Sequence, residues 1–432
     1  MPTSSPQLSA DTMQVHYLIV LMLGTLACGK LAPFHRSKDP VPSQYLVRIE
    51  DAGEDTMNDF RLDLVAENDR NEQEGTGFGH IKVKGEIDGT NLKLFHLELD
   101  YKSLELVRKH PSVLYVEEET RMRMAAPVQS DVSNMFARQD GEDTADGYYG
   151  LDRINQIDTA LDGNMTFDGD GFGVNIYVVD ASIALLHKEL ECRARMVTDV
   201  LDQPGEDCAQ RDGTTIASVA AGKGVGVAKA ATVLGIKVTD CDNELNEMNF
   251  VEGIQWVIDH GRTPCVALLG HACAEATSVD LVAEALTQSL YSSPNEGCVV
   301  VTAAGTVSED GGNACTMSPG RTHSVINVAE TNAADGKTSS SFYGPCVDIF
   351  APGAKIKTAI RQQTVDGDDD YTLSYGTAIS AAFVAGVAAV HLGNDVPTSD
   401  VKERILTDAT PCVVGDEGRG SPDRMLYVAP GE

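Results

Sequence analysis

Asp180 closes the apolar run Ile176-Tyr177-Val178-Val179, where a buried strand would deliver it to the edge of a sheet. A carboxylate placed there can orient a base or exchange a proton with substrate. Asp212 precedes Gly213-Thr214-Thr215-Ile216, so it can serve as an acid or cap the helix that follows, and capping is the simpler reading. Two acidic stretches, Asp168-Gly169-Asp170 and Asp366-Gly367-Asp368-Asp369-Asp370, offer oxygen ligands of the calcium type but read as solvated loops. Ten cysteines stand at 28, 192, 208, 241, 265, 273, 298, 315, 346 and 412 with no C-x-x-C pair, which argues against zinc and for disulfides. Asn164-Met165-Thr166 is a glycosylation sequon, usable if the chain is exported.

The elements that must position these groups fall into two regions. In residues 44–119, alternating apolar runs at Tyr45-Leu46-Val47-Arg48-Ile49, Lys93 to Leu99 and Val113 to Glu117 flank polar stretches that can hold helices, predicting a small α+β domain. Residues 120–147 turn polar and aperiodic, as a linker does. From residue 148 to 432, Val- and Ile-rich runs at 174–179, 231–238 and 298–303 alternate with helical patterns at Glu247 to His260 and Ser278 to Tyr291. That alternation predicts an α/β fold with a doubly wound parallel sheet, whose chemistry sits where strands end.

The chain has 432 residues and is 42% hydrophobic, enough for a large core. Its formal net charge of -32 repels nucleic acid and anionic membranes. The run Tyr17 to Cys28 is too short to span a bilayer and reads as the core of a signal peptide over residues 1–28, with Met13 as an alternative start. The expectation is therefore a secreted protein without a transmembrane segment. Export would remove Cys28 and leave nine cysteines, one of them unpaired or bonded between chains.

Four segments, in order, resemble the subtilase family of serine proteases, most closely its proteinase K branch, over most of residues 148 to 410. Ile176 to Ile183 is similar to the strand ending in the triad aspartate, which would be Asp180. Arg211 to Gly222 resembles H-G-T-H-x-A-G, with Asp212 in place of the catalytic histidine and Thr215 in place of the second. Val301 to Thr306 resembles the A-A-G-N segment, with Thr306 where the oxyanion asparagine would stand. Ser374 to Gly386 resembles the G-T-S-M-A helix start, with Ala378 at the nucleophile. Ser374 and Ser380 are no substitutes, because their offset along helix or loop turns them away from that position. Residues 44–119 likewise resemble the inhibitor-type propeptide of the family.

What the resemblance implies is a subtilisin-like domain with a degenerate site. An alanine cannot attack a carbonyl, a solvated carboxylate is a poor base, and a lost oxyanion donor costs about 10²–10³ in turnover. The expectation is thus a secreted pseudoprotease that is not an enzyme: a binding or regulatory protein using a cleft at Leu269, Gly270, Gly305, Gly376 and Thr377. Its partners would be its own propeptide and an unidentified extracellular protein. It would need no cofactor, with calcium left open. The alternatives are an endopeptidase, full or residual, using a rearranged site, and an acidic matrix or storage protein.

Overall fold

The computed structural model describes residues 31–53, 55–73, 79–89, 92–124, 147–201, 213–240, 245–288, 297–306, 312–360 and 371–431. The signal-peptide expectation, most of the expected linker, Asp212 and the acidic run at 366–370 lie outside the described residues.

The N-terminal unit is built from strands β1 (Phe34–His35), β2 (Pro40–Ile49), β3 (Ile81–Asp88), β4 (Lys93–Leu99) and β5 (Val113–Thr120), in the order β1-β5-β2-β4-β3. Helices α1 (Thr56–Gln73) and α2 (Tyr101–Val107) accompany them. Helix α2 starts where Asp100 accepts from the Ser103 N–H. One set of side chains from these elements, including Val47, Phe60, Phe95, Leu97 and Val116, closes a core of its own. A short strand β6 (Arg123–Met124) follows β5.

After helix α3 (Tyr149–Ile154), the main domain alternates as its apolar runs predict. Strands β7 (Asn175–Asp180), β8 (Ala194–Asp199), β9 (Thr232–Lys237), β10 (Cys265–Leu269), β12 (Cys298–Ala303), β14 (Ile326–Thr331), β15 (Ile349–Pro352), β18 (Thr410–Pro411) and β19 (Arg424–Met425) form one sheet ordered β18-β19-β15-β14-β12-β10-β7-β9-β8. Its pairings are parallel except for β18 on β19. Strands buried on both faces need cover from helices, which explains their continuous apolar character. Helices α4 (Thr214–Ala221) and α7 (Thr377–Gly393) contribute to the core on one face. Helices α5 (Glu247–His260) and α6 (Thr277–Gln288) pack in the other, and α8 (Thr398–Asp408) completes the set. Strand β11 (His271–Ala274) leaves the end of β10 and lies between β6 and β13 (Met317–Ser318), while β16 (Ile356–Ala359) and β17 (Tyr371–Ser374) form a hairpin-like pair.

Among the described residues, two disulfides join Cys265 to Cys298 across β10 and β12, and Cys315 to Cys346. The expectation of a single leftover thiol meets three unpaired cysteines among the described residues: Cys192 and Cys412, both exposed, and buried Cys273. Cys273 points into packed interior, where burial pushes its thiol well above the usual range and leaves it a weak donor toward the Ser318 carbonyl.

The two units share apolar packing. Leu46, Ile87, Leu92, Leu94 and Met122 join the cluster that contains Met248, Val251 and Ile254 of α5. Polar contacts flank it: Glu117 accepts from the Thr277 and Ser278 N–H groups at the start of α6, and Glu247 accepts from the Thr120 N–H.

Candidate functional site

The register of β7 against β10 and β9 sets Asp180 at the carboxyl ends of the central strands, level with Lys237 and just past Leu269. One carboxylate oxygen, Oδ1, accepts from the Ala181 N–H at 2.7 Å. The other, Oδ2, lies 3.3 Å from Nε2 of His271, a side chain with no exposed surface. The two are not aligned as a hydrogen bond, and neither imidazole nitrogen has another partner. Gly270 makes this approach feasible: a Cβ there would stand 2.1 Å from Asp180 Oδ2. The acid and the imidazole therefore meet across β7 and β11.

At the head of α7, Gly376 adopts φ 126°, a conformation that favours glycine, and turns the chain from β17 into the helix. Ala378 follows in the first turn, fully buried. Thr306 Oγ1 accepts from the Thr377 N–H at 3.1 Å and lies 3.1 Å from Thr377 Oγ1, which accepts in turn from the Gly305 N–H at 3.2 Å. This hydroxyl ladder ties the β12 loop to the helix start and commits Thr306 to capping. Thr306→Val is accordingly expected to lower stability by about 0.5–2 kcal/mol, with Thr306→Ser retaining most of it; urea unfolding of the three proteins checks this.

Behind the same turn sits Glu330 of β14, wholly buried, with Oε1 accepting from the Gly376 N–H at 3.0 Å and Oε2 from the Thr338 hydroxyl at 2.8 Å. Burial raises its carboxyl to about 7, a rise that both hydrogen bonds and the nearby Lys337 ammonium oppose.

The sequence-predicted positions sort as follows. Asp180, Gly270, Gly305, Thr306, Gly376, Thr377 and Ala378 lie at the strand ends and at the head of α7. Leu269 is fully buried in the core and offers only its backbone. Helix α4 begins at Thr214 with Gly213 as its cap residue and no side-chain cap bond, while Asp212 lies outside the described residues. Ser380 donates to the Ala351 carbonyl and Ser374 bonds Thr358, so both hydroxyls are held within the protein interior. Asn164 is exposed, its Oδ1 accepting from both the N–H and the hydroxyl of Thr166. No group of three or more His, Cys, Asp or Glu side chains that could hold a metal occurs among the described residues.

Two residues escape the sequence reading. His271 could have been flagged as an ionisable residue directly after a buried apolar strand and a glycine, and Glu330 as an acid inside one.

Strand β6 pairs antiparallel with β11, Met124 opposite His271 and Arg123 opposite Ala272, and Arg121 makes a single bridge to Asn246. The main-chain path after β5 therefore runs along the same strand that carries His271.

Residues 184–425 match the Subtilase family. The chain is 33% identical over 337 residues to an extracellular serine proteinase of Thermus sp. (strain Rt41A), covering 77% of this chain and 74% of that one. It is 30% identical to alkaline serine exoprotease A of Vibrio alginolyticus, covering 82% of this chain and 61% of the relative, and 28% identical to subtilisin-like protease 4 of Trichophyton tonsurans over 92% and 93%. Among solved structures, a cold-adapted subtilisin-like serine proteinase superposes with a TM-score of 0.58 at 29% identity, over 66% of this chain and all of that one. Fervidolysin from Fervidobacterium pennivorans shares the fold, with a TM-score of 0.65 at 19% identity over 93% of this chain and 62% of that one. These neighbours bear out the subtilisin-like α/β fold. They overturn the expectation that the chain is not an enzyme: relatives across most of its length are named serine proteinases, and the exchanges at 212, 306 and 378 do not by themselves take it out of that class. No helix among the described residues is long and apolar enough to cross a membrane.

Proposed function

The chain belongs to the subtilase family, and from that premise we propose an exported protein whose cleft takes an extended polypeptide as an added β-strand beside a rearranged endopeptidase site. Asp180 is its acid–base group, and His271, which has no exposed surface, positions that carboxylate from behind. Residues 44–119 act as an inhibitor-type propeptide, and residues 120–147 link it to the main domain. The observation that carries this reading is the antiparallel pairing of β6 with β11 at His271, the residue whose ring meets Asp180. Main-chain hydrogen bonds along a strand edge, such as the edge of β11 that β6 occupies, hold a peptide largely regardless of its sequence, which suits a site that takes unfolded protein.

With alanine at 378 no acyl-enzyme forms there, so in this reading water adds its oxygen to the peptide carbonyl carbon as its proton passes to Asp180, and that proton goes on to the amine that leaves when the C–N bond breaks. Sites stripped of their nucleophile retain about 10³–10⁴-fold over uncatalysed hydrolysis from binding and electrostatics, and that sets the scale expected. The binding half of the reading is favoured by the same alanine, since a strand held without a covalent step stays longer than it is cut. Cleavage of an unfolded protein by the full chain, compared with Asp180→Asn and His271→Asn, tests the assignment. Slow cleavage lost in both variants is expected. Cleavage that persists unchanged in Asp180→Asn would remove the pair from the mechanism.

Asn164 is assigned as a glycan acceptor in this exported protein, because the Thr166 hydroxyl already contacts its side-chain oxygen. Made in eukaryotic secretory cells, Asn164→Gln is expected to lose the mass of one glycan.

A further inference from the structure

Three carboxylates are buried where the N-terminal unit meets the main domain: Glu117 and Glu119 of β5, each with 2% of its surface exposed, and Glu247 of α5, with none. Three such charges cannot share a dry seam unless each is paired or one is neutral. Their surroundings differ. Glu117 receives the Thr277 N–H at 2.6 Å and the Ser278 N–H and hydroxyl at 2.9 Å, at the positive end of twelve-residue helix α6. Those donors occupy both of its oxygens. Glu119 lies 3.2 Å from His96 Nε2 on β4. Glu247 has only the Thr120 N–H, at 2.9 Å, and its other oxygen is buried without a partner.

We propose that this seam is a proton-linked lock: the N-terminal unit closes on the main domain with one proton held on Glu247, and opening the seam releases that proton. The inference concerns docking alone and stands whether or not the cleft cuts peptide bonds. The remaining groups facing Glu247 do not relieve it. Buried Cys273 on β11 is a thiol whose own ionisation is suppressed by burial and by Glu247, Asp280 and Glu117. Asp280 of α6 is satisfied by Arg321 at 2.6 Å, and that guanidinium also reaches Glu275. Burial first, and then the charges of Glu117 and Glu119, push the Glu247 carboxyl well above its ordinary value of 4.5, against the pull of the Thr120 N–H.

The closed state therefore binds more protons than the open state, in which Glu247 is solvated. Closure is fully supported below the ordinary carboxylate range. It weakens as pH rises from there through the raised value of the closed state. A unit that inhibits by docking would thus be held in acid and loosened toward neutral and alkaline conditions.

Hydrogen exchange of the full-length protein between pH 5 and 8, corrected for intrinsic exchange, reads the opening directly. The probes are the amides of Thr120, Thr277 and Ser278, which bond across the seam, with β10 and β12 as internal references. One-proton linkage predicts close to a tenfold rise in the opening equilibrium per pH unit within the window. Glu247→Gln, which can still accept from Thr120, should flatten the profile while β10 and β12 keep their protection. A flat profile in the parent protein overturns the proposal without any variant, and an unchanged slope in Glu247→Gln overturns the assignment to Glu247.

Discussion

Gly270→Ala is expected to lower stability by about 1–3 kcal/mol, the range of an overpacked core, and to separate Asp180 from His271. The added methyl would stand 2.1 Å from Asp180 Oδ2 and 3.0 Å from the Ile216 side chain of α4, so relief must come from the aspartate or the strand. The strand cannot give easily, since β10 is fixed on both edges by β7 and β12. The carboxylate can turn, but it then leaves the imidazole and loses the Ala181 N–H. Gly415→Ala is the control: its methyl would meet only the Gly336 Cα, at 3.6 Å, and should cost little. Urea unfolding gives the stabilities, and the His271 ring resonances report whether the pair has parted. A Gly270→Ala protein as stable as the Gly415→Ala control, with unchanged His271 resonances, would show that Asp180 and His271 are not locked as described.

The β12 run is apolar but for Thr302 and was legible as a buried parallel strand because both of its faces are covered. The α5 pattern gave its helix to the residue, bounded by the Asn246 cap and Gly261. Family spacing pointed to Asp180, Thr306 and Ala378, since those motifs are local in sequence. His271 was not legible as a partner of Asp180, because the contact joins side chains 91 residues apart through strand register that no local pattern encodes. Glu117 and Glu247 hid for a similar reason: acids are ordinarily exposed, and only docking of one unit on the other buries them. A missing serine does not by itself give the absence of enzyme activity, because three positions do not fix a whole protein's chemistry. The likeness to named proteinases extends over most of the chain.

Glu330→Gln is expected to change the pH dependence of stability by a large, calculable amount. In the folded protein the carboxyl sits at about 7 against 4.5 when solvated, a difference worth about 3 kcal/mol. Because the folded value is the higher one, this contribution is complete below pH 4.5 and disappears as pH climbs through about 7. The parent should thus lose about 3 kcal/mol from this group between acid and mildly alkaline conditions. Glutamine keeps an oxygen for the Gly376 N–H and sets an amide against the Thr338 hydroxyl, so it preserves both contacts without a titrating proton. Relative to the parent, Glu330→Gln should gain stability steadily from pH 4.5 to about 7 and hold that gain above. Since Gly376 leads into Thr377 and Ala378, the same ionisation bears on the turn that opens α7, and its amide exchange should follow the stability difference. Unfolding curves of both proteins across this range decide the matter: curves that run parallel at every pH would mean that Glu330 is ionised throughout and that its burial is compensated by groups other than those named.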